Sequence, residues 1–402
     1  MVASGKGVLG LSGVELAAAR KAGNYLRLEG HFGAFFDAFD LVNFDDLVST
    51  PFYPHEWLRL IKNGQDMPSG QYSRIRTRRG GRQETTLDHA AVSRALAEGY
   101  TLVLHGLQYS HRRIGRLARI AAEELKAAVA VNAYLTPAGE QGLNPHFDHH
   151  DVFVIQLHGS KRWSVHPPVL RNPSPDLTWS GLTAAQRADI VRQAAELTEI
   201  DLLCGDSLFL PRGTVHSAVT TGSVPSLHLT VSVDPTTHKD LYSALVRRQA
   251  AGEWMRAEFG AQGSTEEVAD RFSALLAGAA PELVEDLMID SAFQFLPPMP
   301  ARVLDQVELI QNPALAERYR ARPGLAHRVV SRDPEAVQFE IGGNRLTLPP
   351  PAAGCVELLL SRGGATFDEA RAEVGVEAAE QIVAALLRLQ AVEPVGPVGK
   401  PN

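Results

Sequence analysis

The strongest constraint on the fold lies between residues 129 and 234, where short apolar or alternating segments follow one another. These segments are AVNAYL, DVFVIQL, RWSVH, SLFLP and SLHLTVSV, and turns containing glycine or proline separate them. Period-two patterning over such lengths predicts β-strands, and strands in close succession predict an antiparallel barrel or sandwich. The segment is interrupted once, by residues 181–198, whose periodicity predicts an inserted helix.

Helical patterns flank this strand-rich region. Residues 88–99 and 110–128 precede it, with Asp88 as the expected N-cap of the first helix and Gly99 as its stop. Residues 238–259 and 264–278 follow it, and Ser264 with Glu267 forms a capping-box pattern. The sequence LPPMP at 296–300 predicts a boundary. We therefore expect an α+β chain with domains at 1–235, 236–300 and 301–402.

The last hundred residues predict a winged-helix-like domain. Amphipathic helices are expected near 352–361, 366–374 and 376–390, after a strand pair at 336–348 with a Gly-Gly turn. Such domains often bind DNA, but residues 351–393 hold three arginines against seven acidic residues. This negative charge repels phosphate, so we expect a packing or protein-interaction module that does not bind DNA directly.

The overall composition excludes several classes of protein. The 402 residues carry a net charge of -7, which argues against bulk nucleic-acid binding. No apolar run is long enough for a membrane helix, and the N-terminus lacks a signal-peptide core, so we expect a cytoplasmic protein without membrane partners. The two cysteines, Cys204 and Cys355, stand far apart and predict neither a disulfide framework nor a zinc cage.

Two separated segments together predict a metal site. In Asn144-Pro145-His146-Phe147-Asp148, the histidine and the aspartate would share one face of a strand. The stretch from Gly205 to His216 follows the spacing Gly-x5-Pro-x-Gly-x2-His, the second signature of cupin or jelly-roll barrels. Two histidines and one carboxylate are the donor set of non-heme Fe(II) oxygenases. A barrel that has lost its metal is the alternative.

A lysine and three strand residues complete the predicted pocket. Lys161 follows a turn and a strand, and burial beside Trp163 would require an anionic partner, such as the distal carboxylate of an oxo-acid. Strand parity places Asn132 and Tyr134 on one polar face and Ser232 on another, as candidate hydrogen-bond donors. Each of these three could equally be an ordinary strand residue.

Other conspicuous residues have less specific interpretations. His149 and His150 are expected at the rim of the pocket rather than in a second metal site, and His105 in the core or at the rim. Cys204 has no histidine at a telling spacing and is not expected to be a nucleophile. The arginine-dense segment 74–82 is expected to be a solvated loop, with contact to an acidic partner or phosphate as the alternative.

With these motifs in view, the chain resembles the JmjC-type 2-oxoglutarate oxygenases, specifically the ribosomal-oxygenase branch of protein hydroxylases. The resemblance runs from Tyr-Leu-Thr-Pro at 134–137, through 144–148 and the stretch 153–163, to 209–216. It implies a double-stranded β-helix followed by a helical dimerisation segment and a winged-helix-like domain. It also implies Fe(II) and 2-oxoglutarate as cofactors and a homodimer. By this resemblance the metal ligands and catalytic residues are His146, Asp148 and His216, and the 2-oxoglutarate site is formed by Lys161, Asn132, Tyr134 and Ser232.

The resemblance implies hydroxylation of a histidyl or arginyl β-carbon in a ribosomal protein. The long segment 171–200 and the basic segment 74–82 depart from what the family motifs explain, and either could favour another substrate. The alternatives are a hydroxylase of a natural-product precursor peptide, a JmjC demethylase, and a metal-binding cupin sensor or scaffold without enzymatic activity.

Overall fold

The computed structural model describes residues 6–30, 33–50, 53–194, 197–249, 264–277, 284, 287–288, 291–292 and 303–396, except 323–324, 326, 343 and 362. The chain divides into two compact units, Met1–Thr237 and His238–Asn402. Each unit is described by itself. The proline cluster at 296–300 and much of the predicted dimerisation segment lie outside the described residues.

The helices, in chain order, are α1 Gly13–Ala22, α2 Leu41–Ser49, α3 His89–Ala97, α4 Leu107–Ser110, α5 Arg112–Leu125, α6 Ala184–Gln193, α7 His238–Gln249, α8 Thr265–Ala277, α9 Val303–Gln311, α10 Pro350–Leu360, α11 Phe367–Val374 and α12 Val376–Arg388. Two predicted caps are confirmed. The Asp88 side chain accepts from the Ala91 amide at the start of α3, and Ser264 with Glu267 forms a reciprocal capping box.

The strands of the first unit are β1 Leu26–Leu28, β2 Leu58–Lys62, β3 Gln65–Asp66, β4 Ser73–Thr77, β5 Gln83–Leu87, β6 Thr101–Leu104, β7 Ala127–Thr136, β8 Asp151–His158, β9 Ser160–Val165, β10 Thr198–Leu202, β11 Ser207–Leu210, β12 His216–Thr221 and β13 Ser226–Pro235. Those of the second unit are β14 Arg318–Ala321, β15 His327–Arg332, β16 Val337–Ile341, β17 Asn344–Leu348, β18 Ala365–Thr366 and β19 Val392–Val395.

Two antiparallel sheets form the body of the first unit. The larger has the strand order β1-β11-β8-β13-β7-β6-β2-β3, and the smaller has the order β10-β9-β12. The two sheets pack face to face through one buried apolar cluster: Val152, Val154, Leu208 and Leu210 from the larger sheet, and Trp163, Val165, Ile200 and Leu202 from the smaller. Alternate residues of each strand supply this cluster, which is the physical reason for the period-two pattern.

Helix α5 covers part of the other face of the larger sheet. It packs on β7 and β13, and its buried residues lie on one face of the helix: Ile114, Gly115, Ala118, Ala121 and Ala122. The apolar faces of β7 and β13 are therefore buried outside the barrel. Their polar faces are left for the interior.

Two local predictions are confirmed only in part. The helix expected at 181–198 is present as the shorter α6, Ala184–Gln193, and Thr198 begins β10, which pairs with β9. The basic segment is exposed as expected, but residues 74–77 belong to β4, which pairs with β5 as an antiparallel hairpin around a turn at 78–82. Strand β12 was also missed. It has little apolar alternation, and its strand form depends on pairing with β9.

The second unit contains the predicted C-terminal helices α10 to α12 and the predicted strand pair β16–β17. β15 joins that pair to make a three-stranded sheet, and β14 lies between β18 and β19 in another. Tyr319, Phe339, Cys355 and Val383 are among the fully buried side chains of its core. The winged-helix assignment and the three-domain division remain predictions.

Candidate metal centre and active site

Two side chains of one short segment, His146 and Asp148, lie close to a third from a distant segment, His216. One nitrogen each from His146 and His216 and one oxygen from Asp148 all lie within 4.8 Å of one another. The Asp148 Oδ2 to His216 Nε2 distance is 3.6 Å. Separations of this order allow a single ion to be shared by all three groups. In the part of the chain that the structure describes, this is the one such cluster.

Backbone pairing brings the two histidines together. His146 and His216 form an isolated antiparallel bridge, in which each amide donates to the other's carbonyl at 3.1 and 2.8 Å. The regular strand expected around His146 and Asp148 is therefore absent, and Asp148 lies in irregular chain. The Gly213 amide donates to the Asp148 carbonyl at 2.9 Å, which ties the third side chain to the same turn.

Hydrogen bonds orient both imidazoles. The Nδ1–H of His146 donates to the Asn144 carbonyl at 2.8 Å, and that of His216 donates to the Thr214 carbonyl at 2.9 Å. Because a carbonyl oxygen can only accept, each bond places a proton on Nδ1, and Nε2 is then the ring nitrogen that can bind a metal. Second partners of this kind fix the tautomer and orientation of metal-binding histidines.

The electrostatics keep His216 and Asp148 in a metal-binding protonation state. Burial lowers the pKa of His216 to about 4, and the charge of His146 acts in the same direction. Burial alone would raise the pKa of Asp148, but the positive charges of His150 and the other nearby histidines outweigh burial and lower it. At neutral pH His216 is therefore a neutral base and Asp148 an anion.

A buried lysine lies in the same cavity. Lys161 is 4% exposed, its Nζ donates to Thr136 Oγ1 at 2.9 Å, and it contacts His228 Nδ1 at 3.5 Å. Burial lowers its pKa to about 7. No carboxylate among the described residues pairs with it, although an anionic partner was expected for a buried lysine. Such an ammonium group is costly to bury alone and would be stabilised by an anionic ligand.

The predicted companions of the lysine line the same cavity. Asn132 Oδ1 accepts from the Gly106 amide at 3.1 Å, and Tyr134 stacks on His228 with centroids 4.9 Å apart. Burial raises the pKa of Tyr134 to about 12, so its phenol remains a hydrogen-bond donor. Ser232 is 9% exposed and lies on the same strand face as His228. All three side chains therefore line the cavity, and their role towards 2-oxoglutarate remains a prediction.

The cavity has a volume of about 720 Å³ and holds more than the metal cluster and lysine. Trp179, Ser180 and Arg187, from the long insertion, also line it. Trp179 packs edge-on against Phe147 at 5.5 Å, and Arg187 donates to the Trp179 carbonyl at 3.0 Å. Phe147 lies between His146 and Asp148 in the sequence. The insertion therefore forms a wall of the cavity beside these two residues.

Sequence reasoning missed Thr136 and the Trp179–Arg187 pair. Thr136 continues the polar alternation of Asn132 and Tyr134 along β7, so the same parity argument could have found it. Its hydroxyl also accepts from Thr101 Oγ1 at 3.0 Å. The insertion offered no local signal, because its position over the cavity depends on long-range packing.

The remaining histidines take up varied positions. His149 and His150 line the cavity with their rings 4.9 Å apart, but they do not belong to the metal cluster. His105 lines the cavity as well, and burial lowers its pKa. Cys204 is exposed and donates to the Leu157 carbonyl at 3.1 Å, and partial desolvation, together with the charge of Asp206, raises the pKa of its thiol.

Comparison with known proteins gives a consistent result. A family model described as the JmjC domain matches residues 104–241. The bifunctional lysine-specific demethylase and histidyl-hydroxylase NO66 of Dictyostelium discoideum is 36% identical over 135 residues, or 34% of this chain and 25% of that protein. Ribosomal oxygenase 1 of Gallus gallus is 32% identical over 182 residues, or 43% and 29%. The chain thus spans between a quarter and a third of the length of these curated relatives.

Solved structures match over much more of the chain. The X-ray structure of Escherichia coli ycfD aligns with a TM-score of 0.51 at 16% identity, covering 92% of this chain and 94% of that one. YcfD in complex with cobalt and succinic acid, described as a ribosomal oxygenase, aligns with a TM-score of 0.51 at 17% identity, covering 93% and 95%. At such identities the likeness shows a shared fold. Residues 104–241 thus match the JmjC domain model, and part of this chain is similar to the ribosomal oxygenases, as the sequence motifs predicted.

Proposed function

We propose that this chain is an Fe(II)- and 2-oxoglutarate-dependent oxygenase that hydroxylates a side chain of a ribosomal protein or another peptide. One observation carries the proposal: the His146, Asp148 and His216 cluster shares a cavity with Lys161, a buried cation that no described carboxylate neutralises. A cation-binding group and an anion-binding group in one cavity fit a metal together with a metal-chelating oxo-acid. The histidyl or arginyl β-carbon remains the expected target.

The donor set fits ferrous iron. Two neutral imidazole nitrogens and one carboxylate are the ligands of the facial triad of non-heme Fe(II) oxygenases. We assign His146, Asp148 and His216 to the metal, and Lys161 with Asn132, Tyr134 and Ser232 to 2-oxoglutarate. When bound, these cofactors supply the oxidising chemistry: O₂ provides one oxygen atom to the substrate C–H bond and one to the succinate formed as CO₂ leaves.

The protein's own groups position and stabilise the reactants. The Nδ1–H bonds of His146 and His216 hold both rings at a fixed orientation. A carboxylate beside Lys161 favours the protonated ammonium, while Thr136 holds its Nζ in place. The insertion wall, with Trp179 at its centre, shields the site from bulk water and contacts the incoming peptide.

Succinate production tests the proposal directly. The purified chain is incubated with Fe(II), 2-oxoglutarate and a lysate from cells lacking the gene, and peptides that gain the mass of one oxygen atom are sought. His146→Ala should abolish succinate formation, whereas His327→Ala, a matched change at an exposed position, should leave it unchanged. Turnover of the His146→Ala variant at the wild-type rate would remove the metal assignment.

The same reaction separates hydroxylation from demethylation, which one relative's name also includes. Removal of an N-methyl group releases formaldehyde, while hydroxylation at carbon leaves the oxygen on the peptide. We expect a stable mass increase without formaldehyde. A chain that binds Fe(II) but never consumes 2-oxoglutarate would instead be a sensor or scaffold.

We also propose that the chain works as a homodimer with a helical segment at 236–300 and a winged-helix-like domain at 301–402. The exposed side chains of Tyr242 and Val246 on α7, at 56% and 37%, support a partner for that helix. Light scattering of the purified chain should give twice the mass of 43.5 kDa. A monomer at all concentrations would contradict the dimer and leave the proposed catalytic site unaffected.

A further inference from the structure

A cationic hairpin lies outside the catalytic machinery. Strands β4 and β5 pair from Ser73 with Leu87 to Thr77 with Gln83, as a two-stranded sheet that belongs to neither barrel sheet. The turn closes where the Arg78 amide donates to the Arg82 carbonyl at 2.8 Å. The hairpin is therefore an ordered ribbon rather than a flexible basic loop.

The charge of this ribbon opposes that of the chain. Five arginines are exposed on it, namely Arg74, Arg76, Arg78, Arg79 and Arg82. Glu84 is its one acidic residue and pairs with Arg78 at 2.6 Å. Five positive charges minus one leave +4, in a chain whose net charge is -7. Within the described ranges, the other four arginines make no ion pair, so their guanidinium groups are available to a partner.

The side chains of the ribbon favour a phosphate-bearing partner over a protein. Protein interfaces depend on buried aromatic and apolar anchors, and the exposed part of this hairpin offers one large apolar side chain, Ile75, which is 69% exposed. Phosphate recognition needs no apolar anchor, because guanidinium groups bind phosphate oxygens through paired, charge-assisted hydrogen bonds. Arginine spread over strand and turn fits a polyanionic backbone.

The base of the hairpin is fixed beside the catalytic cavity. The Tyr72 hydroxyl donates to the Leu58 carbonyl at 2.9 Å, and the Asp88 amide donates to the Tyr72 carbonyl at 2.9 Å. Leu58 begins β2, the strand whose Arg59 and Ile61 line the cavity. The base of the ribbon is therefore bonded to a strand that forms part of the cavity wall.

We propose that the β4–β5 hairpin binds the sugar-phosphate backbone of a single-stranded RNA segment. The choice of RNA rests on the proposed function, because a ribosomal-protein substrate carries RNA beside its side chains. The contact is to phosphate and therefore independent of base sequence. It holds an RNA-associated substrate at the cavity and takes no part in the oxidation.

Fluorescence anisotropy with a labelled RNA of about 20 nucleotides and mixed sequence tests this proposal without iron or 2-oxoglutarate. With four arginine–phosphate contacts, log affinity should fall with log salt concentration at a slope of about -2.8. The affinity should then fall about 50-fold between about 50 and 200 mM salt. Arg76→Gln with Arg79→Gln should halve that slope and leave a loss of about sevenfold. The matched control is Arg113→Gln with Arg116→Gln, an equal charge change at exposed positions of α5, which should keep the wild-type slope.

Each outcome decides the proposal. Absence of RNA binding, or equal losses in both double variants, would overturn it, since the hairpin would then have no special role. Tighter binding of polyglutamate of matching charge would also overturn it, in favour of an acidic protein partner. Succinate formation by the hairpin variant should equal that of the wild type. If RNA binds and no succinate ever forms, the hairpin assignment stands while the proposed oxygenase activity fails.

Discussion

Replacing Lys161 with methionine should stabilise the ligand-free protein and weaken its binding of 2-oxoglutarate. The ammonium group is buried against the Thr136 hydroxyl and the neutral imidazole of His228. Methionine has a similar length and carries no charge, so it removes the cost of burying an unpaired cation. The same change removes the group that we assign to the distal carboxylate of 2-oxoglutarate.

The magnitude follows from the pKa. Burial lowers the pKa of Lys161 to about 7, whereas the pKa of a lysine in an unfolded chain is about 10.4. This lowering of the lysine pKa on folding costs about 4 kcal/mol of folding free energy at pH 7. Loss of the hydrogen bond to Thr136 costs about 1 kcal/mol of stability, so the net stabilisation is about 3 kcal/mol. Because the folded pKa is the lower one, this gain is largest at and below pH 7 and disappears as the pH rises towards 10.

Urea unfolding followed by tryptophan fluorescence measures the first effect, since three of the four tryptophans lie in residues 1–237. Lys21→Met, an exposed control, should shift stability by less than about 0.5 kcal/mol. Calorimetric titration of 2-oxoglutarate measures the second effect, and wild-type affinity should also weaken as the pH rises above 7. A variant less stable than the wild type at pH 7 would refute the unpaired-cation argument. Unchanged 2-oxoglutarate affinity would remove the anchor role.

Three further substitutions test neighbouring parts of the site. Thr136→Val removes the acceptor of the lysine Nζ, and we expect the Kd for 2-oxoglutarate to rise about tenfold with unchanged metal affinity. Trp179→Ala removes the wall that packs on Phe147, and steady-state kinetics should show a higher peptide KM with an unchanged KM for 2-oxoglutarate. Burial, followed by the nearby charge of Lys161, lowers the pKa of His228 well below its usual value, so the folded chain loses stability as the pH falls below about 6.5. His228→Asn should flatten that dependence by up to about 1.4 kcal/mol per pH unit, measured by urea midpoints between about pH 5 and 7.

Strand parity predicted which polar side chains of β7 and β13 line the cavity, but it does not describe His146 and Asp148, which lie outside any regular strand. His228 and Thr230 lie opposite Tyr134 and Asn132 in the register of β13 and β7, so the two polar faces meet where the alternation placed them. The Pro-x-Gly turn before His216 was recognised from its spacing alone. These features depend on neighbours one or two positions apart, which a single sequence displays.

The elements that were missed depend on distant partners. β10 begins at Thr198, the end of the segment expected to be helical, and its strand form comes from pairing with β9. The arginine-rich segment forms a hairpin although its exposed residues have no apolar alternation, since cross-strand hydrogen bonds rather than burial define it. Long-range pairing can override local periodicity in this way.

A buried acidic residue ties together the two chain segments that carry the candidate metal ligands. Asp151 immediately follows the His146–His150 segment, and its carboxylate accepts from Arg20 of α1 at 2.5 Å and from the Arg212 amide at 2.9 Å. It thereby joins the segment that carries two of the clustered side chains to the turn that delivers the third. Gly213 in that turn has φ near 84°, and a Cβ there would collide with the carbonyl of Leu170, just before the insertion, so glycine is required. Backbone hydrogen bonds and a buried charge thus hold both segments in place, which is the kind of support that a preorganised site needs.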